Sequence, residues 1–239
     1  MGEFGGFTPA TQRFFRSLAK NNNKPWFEAH RSIYEQSLRE PMKALIEALD
    51  ARLGSFAPEI VGDPKRSLFR INRDIRFSKD KSPYKTNAGC WLYHRDAGRG
   101  VGQDADAGGA GYYFHIDGKA SFVAGGIWMP ARPVLNKIRD RIADNPAALR
   151  KILAAKPFAT RFGPLDRESQ LTRIPRGFPA DHPDGDLLRL QSFTVGRAVP
   201  PSMLGSTRLV TRLADDFAVM LPLVRWLNDA IGFKRAVQR

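Results

Sequence analysis

Cysteine is almost missing from this sequence, which contains a single one at position 90. One thiol can form neither an intramolecular disulfide nor a multi-cysteine metal cluster, so both kinds of stabilising site are excluded. Cys90 lies between Gly89 and Trp91 in an apolar setting. That setting favours a buried, unreactive thiol over a catalytic nucleophile.

Long hydrophobic runs are also lacking. The longest apolar stretches lie around Phe122–Met129 and Phe217–Val224, and both are too short to span a bilayer. No basic-then-apolar leader precedes Phe4. With 42% hydrophobic and 26% charged residues, the composition is that of an ordinary globular chain. We therefore expect a cytoplasmic, soluble protein with no membrane partner that forms one α+β domain over residues 1–239.

Acidic residues are scarce: 24 of them stand against 38 lysines and arginines, giving a formal net charge of +14. Such a charge creates a long-range positive field that favours phosphates, nucleic acid and acidic surfaces as partners. A solubility role or a compositional bias toward arginine explains the same excess. The charge by itself therefore does not define a partner.

The familiar catalytic motifs are missing as well. There is no Gly-x-Ser-x-Gly elbow or P-loop, and the glycine-rich run at 98–102 has neither the third glycine nor the following helix of a nucleotide-binding loop. His115 and His182 would offer metal ligands if they converged with His30 and Glu28. No H-x-H or H-E-x-x-H spacing supports this convergence, so we assign no metal site.

Helices are predicted for residues 8–54. Proline stands there three times at a position that suits the first turn of a helix, at Pro9, Pro25 and Pro41. Gly54 is a helix stop.

Residues 65–128 are predicted to be rich in β structure: a basic strand, a strand over 88–94, a long loop over 95–111 and a hairpin around Asp117-Gly118. Alternation along the first hairpin strand places Tyr112, Phe114 and Ile116 on one face and Tyr113 and His115 on the other. Gly125-Gly126 marks a bulge or a close backbone approach.

Residues 131–191 are predicted to combine helices with loops, and 156–186 to carry little regular structure because five prolines fall there. A last strand and a long helix over 206–230 fill residues 192–230. One face of that helix is apolar, with Leu209, Leu213, Phe217, Met220, Val224 and Leu227. The order of elements indicates an α+β fold, with a mostly antiparallel central sheet, N-terminal helices and a long C-terminal helix packed on the sheet.

The most unusual stretch is residues 65–85, which holds eight lysines and arginines against two aspartates. Interpreted as a strand, it places Phe69, Ile71, Ile75 and Phe77 on one face. Arg73 then falls in the apolar row, where an unpaired charge would cost several kcal/mol. A helix, on which Leu68, Ile71 and Ile75 would share a face, is the alternative. The β-branched and aromatic residues favour the strand.

This stretch resembles a family signature, R-x-x-R-D-x-R-F, two residues, Asp or Asn followed by Lys, two residues, and Tyr. The signature is complete here, in Arg70, Arg73, Asp74, Arg76, Phe77, Asp80, Lys81 and Tyr84. The chain is similar to the bacterial and fungal family known as domain of unknown function 2461 (DUF2461). The similarity covers most of the chain, including Asn22–Phe27, Gly125–Trp128 and Pro175–Phe178. The resemblance implies no activity, because none is established for the family.

Arginines three residues apart, followed by two lysines, suit an anion with several oxygens, because guanidinium groups bind phosphate or carboxylate through two hydrogen bonds. We therefore expect a phosphate-bearing or other anionic ligand, either a nucleotide or nucleic acid, with aromatic side chains at hand for stacking. The candidate ligand-binding residues are Arg70, Arg73, Asp74, Arg76, Lys81, Tyr84, Lys85, Trp26 and Tyr113. Alternatively, the arginines form a structural network with the acids Asp74, Asp80, Glu28 and Glu35.

A second hypothesis is an enzyme that acts on a small anionic substrate. The arginines would stabilise developing negative charge, while an imidazole or a carboxylate moves the proton. The candidate catalytic residues are His30, His115 and Glu28. The sequence leaves the cofactor, the oligomeric state and the choice between these hypotheses open.

Overall fold

The structure, a computed structural model, describes residues 3–76, 78–97 and 108–236. The chain begins with a helical region: α1 (Pro9–Lys20), α2 (Lys24–Ala29), α3 (Arg31–Tyr34), a π-helical turn (Glu35–Arg39) and α4 (Glu40–Leu53). Prolines lie in the first turns of α1, α2 and α4, as predicted. Asn23 caps α2 by accepting a hydrogen bond from the backbone N–H of Trp26.

A five-stranded antiparallel sheet follows, with the strands in sequence order. Its strands are β1 (Ile60–Val61), β2 (Asn87–His94), β3 (Gly111–Asp117), β4 (Ser121–Ile127) and β5 (Phe193–Ala198). The predicted hairpin is β3–β4, which turns at Asp117-Gly118 with Ile116 opposite Ser121.

The remaining helices are α5 (Pro64–Ser67), α6 (Arg132–Asp144), α7 (Pro146–Ala154), α8 (Lys156–Phe162), α9 (Gly185–Leu188), α10 (Pro201–Leu204) and α11 (Arg208–Ile231). The six apolar residues predicted to share one face of α11 are all fully buried. The aromatic ring of Phe217 stacks on that of Tyr112, with centroids 4.3 Å apart. These elements confirm the predicted α+β fold, with N-terminal helices and a long C-terminal helix packed on the sheet. No helix in the described ranges is both long and apolar enough to cross a bilayer.

The two faces of the sheet differ. One, the covered face, carries Cys90, Tyr112, Phe114, Ile116 and Val123 and packs against the helices; these five side chains are fully buried. The other, the open face, consists of two rows that cross four strands. The rows are Gly89–His115–Phe122–Ala198 and Trp91–Tyr113–Ala124–Gly196. The predicted alternation along the first hairpin strand is confirmed by this arrangement.

The prediction of a regular basic strand is wrong. Residues 64–67 form α5, and among the described residues 68–76 and 78–86 only two isolated bridges occur, Leu68–Cys90 and Asn72–Tyr84. The segment folds back on itself, because the backbone N–H of Lys85 bonds to Ile71 O at 2.8 Å. Pro64, which opens α5, and Pro83 also lack the N–H that a strand ladder needs. Phe77 lies outside the described residues.

We call residues 68–86 the basic segment. At its start it pairs with β2 beyond the end of β1, through the Leu68–Cys90 bridge and a bond from Phe69 N–H to Gly89 O. Near its end, the side-chain amide of Asn22 both donates to Tyr84 O and accepts from Tyr84 N–H, at 2.9 and 3.1 Å. The basic segment is therefore fixed to both the sheet and the N-terminal helices.

Two further predictions need comment. Residues 156–162 form α8 and are not irregular, since proline at the second position of a helix is compatible with its first turn. Of the predicted loop over 95–111, residues 98–107 lie outside the described ranges.

Candidate functional site

A groove of about 1160 Å³ runs across the open face of the sheet. Its floor takes residues from four neighbouring strands, including Gly89, Tyr113, Ala124 and Gly196. Both rows of the open face contribute, so the groove crosses the strands and does not follow one of them. Because the helices pack on the covered face, this side of the sheet is left accessible.

Aromatic side chains line the groove: Phe69, Trp91, Tyr113, Phe122 and Trp128. Phe122 is 36% exposed and Trp128 60%, and with Ile33 they make up the exposed large hydrophobic residues of the described ranges. Two of these three exposed side chains thus fall in one groove, which is the pattern of a binding site and not of scattered surface residues.

Two glycines make the shape of this site possible. A Cβ atom on Gly89 would lie 2.3 Å from the hydroxyl oxygen of Tyr113, so glycine leaves the room that the tyrosine occupies. Gly126 has a φ of 124°, and a Cβ atom there would lie 2.0 Å from Phe193 O. The close backbone approach predicted at Gly125-Gly126 is therefore confirmed.

The basic segment forms one side of the groove, the basic rim, with Arg70, Arg73 and Lys85. Arg73 pairs with Asp80 and lies 3.5 Å from Ser78 Oγ. In the described ranges neither Arg70 nor Lys85 has a carboxylate partner. The ammonium of Lys85 lies over the Phe69 ring, 5.6 Å from its centroid. Burial and then repulsion from Arg70 lower the pKa of Lys85.

Asp166 and Glu168 lie at the opposite side, the acidic rim. Asp166 is attached to β5, because its backbone N–H donates to Thr194 O at 2.9 Å. The basic rim lies beside β2 and the acidic rim beside β5, so three strand spacings separate them, roughly 15 Å. The groove therefore has opposite charges at its two ends and aromatic side chains between them.

His115 lies at the edge of the groove, in contact with residues that line it. Its Nδ1 is 3.2 Å from the Tyr113 hydroxyl and 3.3 Å from Asn87 Nδ2, and its ring stacks on Phe122 with centroids 4.6 Å apart. Its Nε2 faces Asp117 Oδ2 at 3.5 Å. Burial lowers the pKa of His115 despite this carboxylate, and burial raises the pKa of Tyr113 to about 12.

Asp117 completes this chain of contacts. Burial alone would raise its pKa, but the backbone N–H groups of Ala120 and Lys119 and the imidazole of His115 outweigh burial and lower it. Asp117, His115 and Tyr113 therefore form a hydrogen-bonded line from the β3–β4 turn into the groove.

Of the nine predicted ligand-binding residues, five line the groove: Arg70, Arg73, Asp74, Lys85 and Tyr113. Asp74 also pairs with Arg76 at 2.7 Å, and the arginine lowers the pKa of that carboxyl to about 2. The pairs Arg73–Asp80 and Arg76–Asp74 realise part of the structural alternative.

The other four lie elsewhere in the described structure. Arg76 pairs with Asp74 on the surface, and the ammonium of Lys81 donates to Ile75 O. Tyr84 is buried and stacks on Phe27, with ring centroids 4.1 Å apart. Trp26 stacks on His30 at 4.0 Å, among the N-terminal helices. None of the four lines the groove.

The predicted catalytic residues are separated as well. Glu28 forms an exposed ion pair with Arg31, and Glu35 pairs with Arg39 one turn further on, so neither reaches the basic segment. His30 Nδ1 donates a hydrogen bond to Trp26 O, 2.8 Å away. Only His115 of the three lies beside the groove. No group of three His, Cys, Asp or Glu side chains in the described ranges is placed to hold a metal.

Sequence reasoning did not identify Trp91, Phe122, Trp128, Asn87 and Asp117 as site residues. The alternation that placed Tyr113 on the open face, continued through the hairpin to its cross-strand partners, would have indicated Phe122. Trp128 follows the end of β4, where alternation no longer applies.

A family model described as "Conserved hypothetical protein (DUF2461)" matches residues 10–226 of the chain. No curated protein and no solved structure matches it.

Proposed function

The chain belongs to the DUF2461 family, and from this premise we propose that its groove binds a phosphate-bearing ligand of nucleotide size. One observation carries the proposal: exposed aromatic side chains line the same groove as Arg70 and Lys85, two cations that form no ion pair within the described ranges. A planar base and a charged phosphate need these two kinds of side chain together.

The phosphate end is assigned to the basic rim. Arg70 is exposed, and Lys85 lies close enough to Arg70 for repulsion to lower its pKa. An anion between the two would replace that repulsion with two charge-assisted hydrogen bonds. Arg73 also lines the basic rim, where it pairs with Asp80.

The base is assigned to the aromatic middle of the groove. Phe122 and Trp128 expose their rings to it, and stacking on an aromatic side chain contributes about 1 to 3 kcal/mol per base. The glycines and alanines of the floor leave the depth that a ring needs.

The acidic rim favours a short ligand over an extended nucleic acid. A polyanion that crossed the groove from Arg70 would meet the carboxylates of Asp166 and Glu168 roughly 15 Å away. A mononucleotide bound with its phosphate at the basic rim presents the edge of its base, not a second phosphate, to the acidic rim.

Calorimetric titration with ATP, AMP and adenosine tests the proposal. We expect both nucleotides to bind and adenosine to bind more weakly. Arg70→Gln and Lys85→Gln should each lower the affinity for AMP about tenfold, because each removes one charge-assisted hydrogen bond. Arg212→Gln, an exposed arginine on α11, is the matched control and should leave affinity unchanged.

Equal affinity of the rim variants and the control for AMP would refute the assignment of the phosphate. Binding of single-stranded DNA that is tighter than AMP and falls steeply with salt would instead indicate nucleic acid as the partner.

The line of contacts from Asp117 through His115 to Tyr113 favours a second candidate, an enzyme that transfers a proton to or from the groove ligand. The Tyr113 hydroxyl is protonated at neutral pH and can donate, with His115 and Asp117 to return the proton. Tyr113→Phe should then abolish turnover of a nucleotide or sugar phosphate while AMP affinity changes less than threefold. Loss of affinity without any turnover in the unmodified protein would leave binding as the function.

A further inference from the structure

A second cavity, of about 920 Å³, lies next to the groove. Pro130 lines both, and the chain turns between them at Met129, which has a φ of 42°. The start of α6 and residues 171–176 form its walls, including the Pro175-Arg176 part of the family resemblance. We call it the arginine cavity, because Arg132, Arg139 and Arg176 line it and, among the residues that the structure describes, no aspartate or glutamate does.

Arg139 is the unusual member. It is only 6% exposed, and its Nε and Nη2 donate to the carbonyl oxygens of Leu188 and Leu190 at 2.9 and 3.1 Å. Within the described ranges its Nη1 has no hydrogen-bond partner, and the guanidinium group forms no ion pair with a carboxylate. Burial and then repulsion from Arg132 lower the pKa of Arg139.

Three buried carboxylates in the described structure, in contrast, each form an ion pair with an arginine. Glu59 pairs with Arg225 at 2.6 Å, Asp184 with Arg150 at 2.6 Å, and Asp216 with Arg197 at 2.8 Å. A buried charge without a counter-charge is energetically costly. An anion bound in the cavity would supply the counter-charge that Arg139 lacks within the described ranges.

We propose that the arginine cavity is a binding site for a phosphate-type oxyanion. Arg132 and Arg176 are exposed and can close over the anion from the rim, and Arg139 meets it from below through Nη1. Three guanidinium groups match the several oxygens of phosphate, and the positive end of α6, which begins at Arg132, adds to the attraction.

This site is independent of the proposed function, because it uses none of the residues of the basic rim. Its phosphate has two sources: free orthophosphate or pyrophosphate, or a phosphate group of a larger ligand such as a nucleoside triphosphate. Both present the same oxyanion to the arginines.

The test is calorimetric titration of the full chain with orthophosphate and with ATP, each in sodium chloride of matched ionic strength. Arg132→Gln and Arg176→Gln should each lower the affinity for orthophosphate about tenfold, because each removes one charge-assisted hydrogen bond. Arg173→Gln is the matched control, an exposed arginine three residues from Arg176 that does not line the cavity. It should leave the affinity for orthophosphate unchanged.

If Arg176→Gln weakens the binding of orthophosphate and of ATP alike, the cavity also takes a phosphate group of a larger ligand. If it weakens orthophosphate alone, the cavity takes a free anion, and both results support the site. The proposal is overturned if the unmodified protein shows no saturable orthophosphate binding. It is equally overturned if Arg132→Gln and Arg176→Gln bind as Arg173→Gln does, or if only Arg70→Gln weakens orthophosphate.

Discussion

The two faces of the sheet are built from the same strands and differ in almost every other respect. On the covered face Tyr112 and Phe114 are fully buried, and the ring of Phe217 from α11 stacks on Tyr112. On the open face Phe122 is 36% exposed, between His115 and Ala198 of the neighbouring strands. Side chains of the same chemical type thus contribute to the core on one side and line a groove on the other.

This difference shows which residues are available for function. Burial of a large aromatic side chain on the covered face stabilises the fold by several kcal/mol, so those residues are committed to packing. Exposed aromatics on the open face gain little for folding, and their concentration in one groove favours a ligand. Substitutions matched across the sheet can separate the two roles.

The largest expected effect concerns a matched pair of phenylalanines. Phe217→Ala should lower the free energy of unfolding by about 3 to 5 kcal/mol, because it leaves a cavity in the core. Phe122→Ala should lower the free energy of unfolding by less than about 1.5 kcal/mol, since the side chain is partly exposed. The same substitution should weaken the binding of AMP. Urea unfolding and calorimetry measure both. Similar destabilisation by the two variants would remove the distinction between the faces.

The next effect tests an ion pair in the helical layer. Glu59 is buried against Arg225 of α11. Burial alone would raise the pKa of Glu59, but the hydrogen bond from Arg225, a backbone hydrogen bond and the charge of Arg225 together outweigh burial and lower it. Its contribution to stability is therefore complete above about pH 4.5 and is lost as the pH falls through the folded-state pKa. Glu59→Gln should cost about 2 to 3 kcal/mol at pH 7, because Arg225 loses its partner.

The same substitution should cost less at pH 3, below the ordinary pKa of a glutamate, because the stability that the lowered pKa provides is lost as the pH falls. Urea unfolding at both pH values measures the difference. A cost that is equal at pH 7 and pH 3 would contradict the role of the ionised carboxylate, and AMP affinity at pH 7 should not change.

A smaller effect on stability concerns the floor of the groove. Gly89→Ala should lower the free energy of unfolding by about 1 to 2 kcal/mol, because its Cβ atom would collide with the Tyr113 hydroxyl. AMP affinity should fall further than stability suggests, since Tyr113 must move into the groove. The double variant Gly89→Ala/Tyr113→Phe removes the closest contact and should recover part of the stability. No recovery would show that another contact limits this position.

The smallest effect concerns the pH response of the open face. Burial lowers the pKa of His115 below 6.5, so neutral His115 contributes stability above about pH 6.5 that is lost as the pH falls through the folded-state pKa. Protonation should cost less than about 1 kcal/mol, because Asp117 partly compensates. An NMR titration gives the pKa directly. A phosphate bound in the groove should raise it, and His115→Gln supplies the assignment control.

Local sequence signals predicted several elements well. Asp117-Gly118 fixed the hairpin, and the apolar periodicity over Leu209–Leu227 identified the buried face of α11, because turn chemistry and helical spacing act over a few residues. The basic segment was the failure. Its alternation is compatible with a strand, but a strand needs a continuous partner, and Leu68 and Asn72 find only single bridges.

The site residues were likewise predicted better where they come from one short stretch of sequence. Five of nine predicted ligand-binding residues line the groove, since Arg70, Arg73 and Asp74 come from one short stretch that the fold places beside β2. Glu28 and Glu35 instead pair with arginines three and four residues away, within their own helical region. Tyr84 is held in the core by Phe27, a contact between residues far apart in the chain.

The sequence by itself determined the α+β fold, the helix faces and which residues of the hairpin share a side of the sheet, because these follow from local backbone geometry. Only the tertiary structure decided which side is covered. Alternation makes the two faces distinct without saying where α11 will pack or that the basic segment will return beside Gly89. Those choices depend on the packing of segments far apart in sequence, and they place Arg70 and Lys85 beside the exposed rings of the groove.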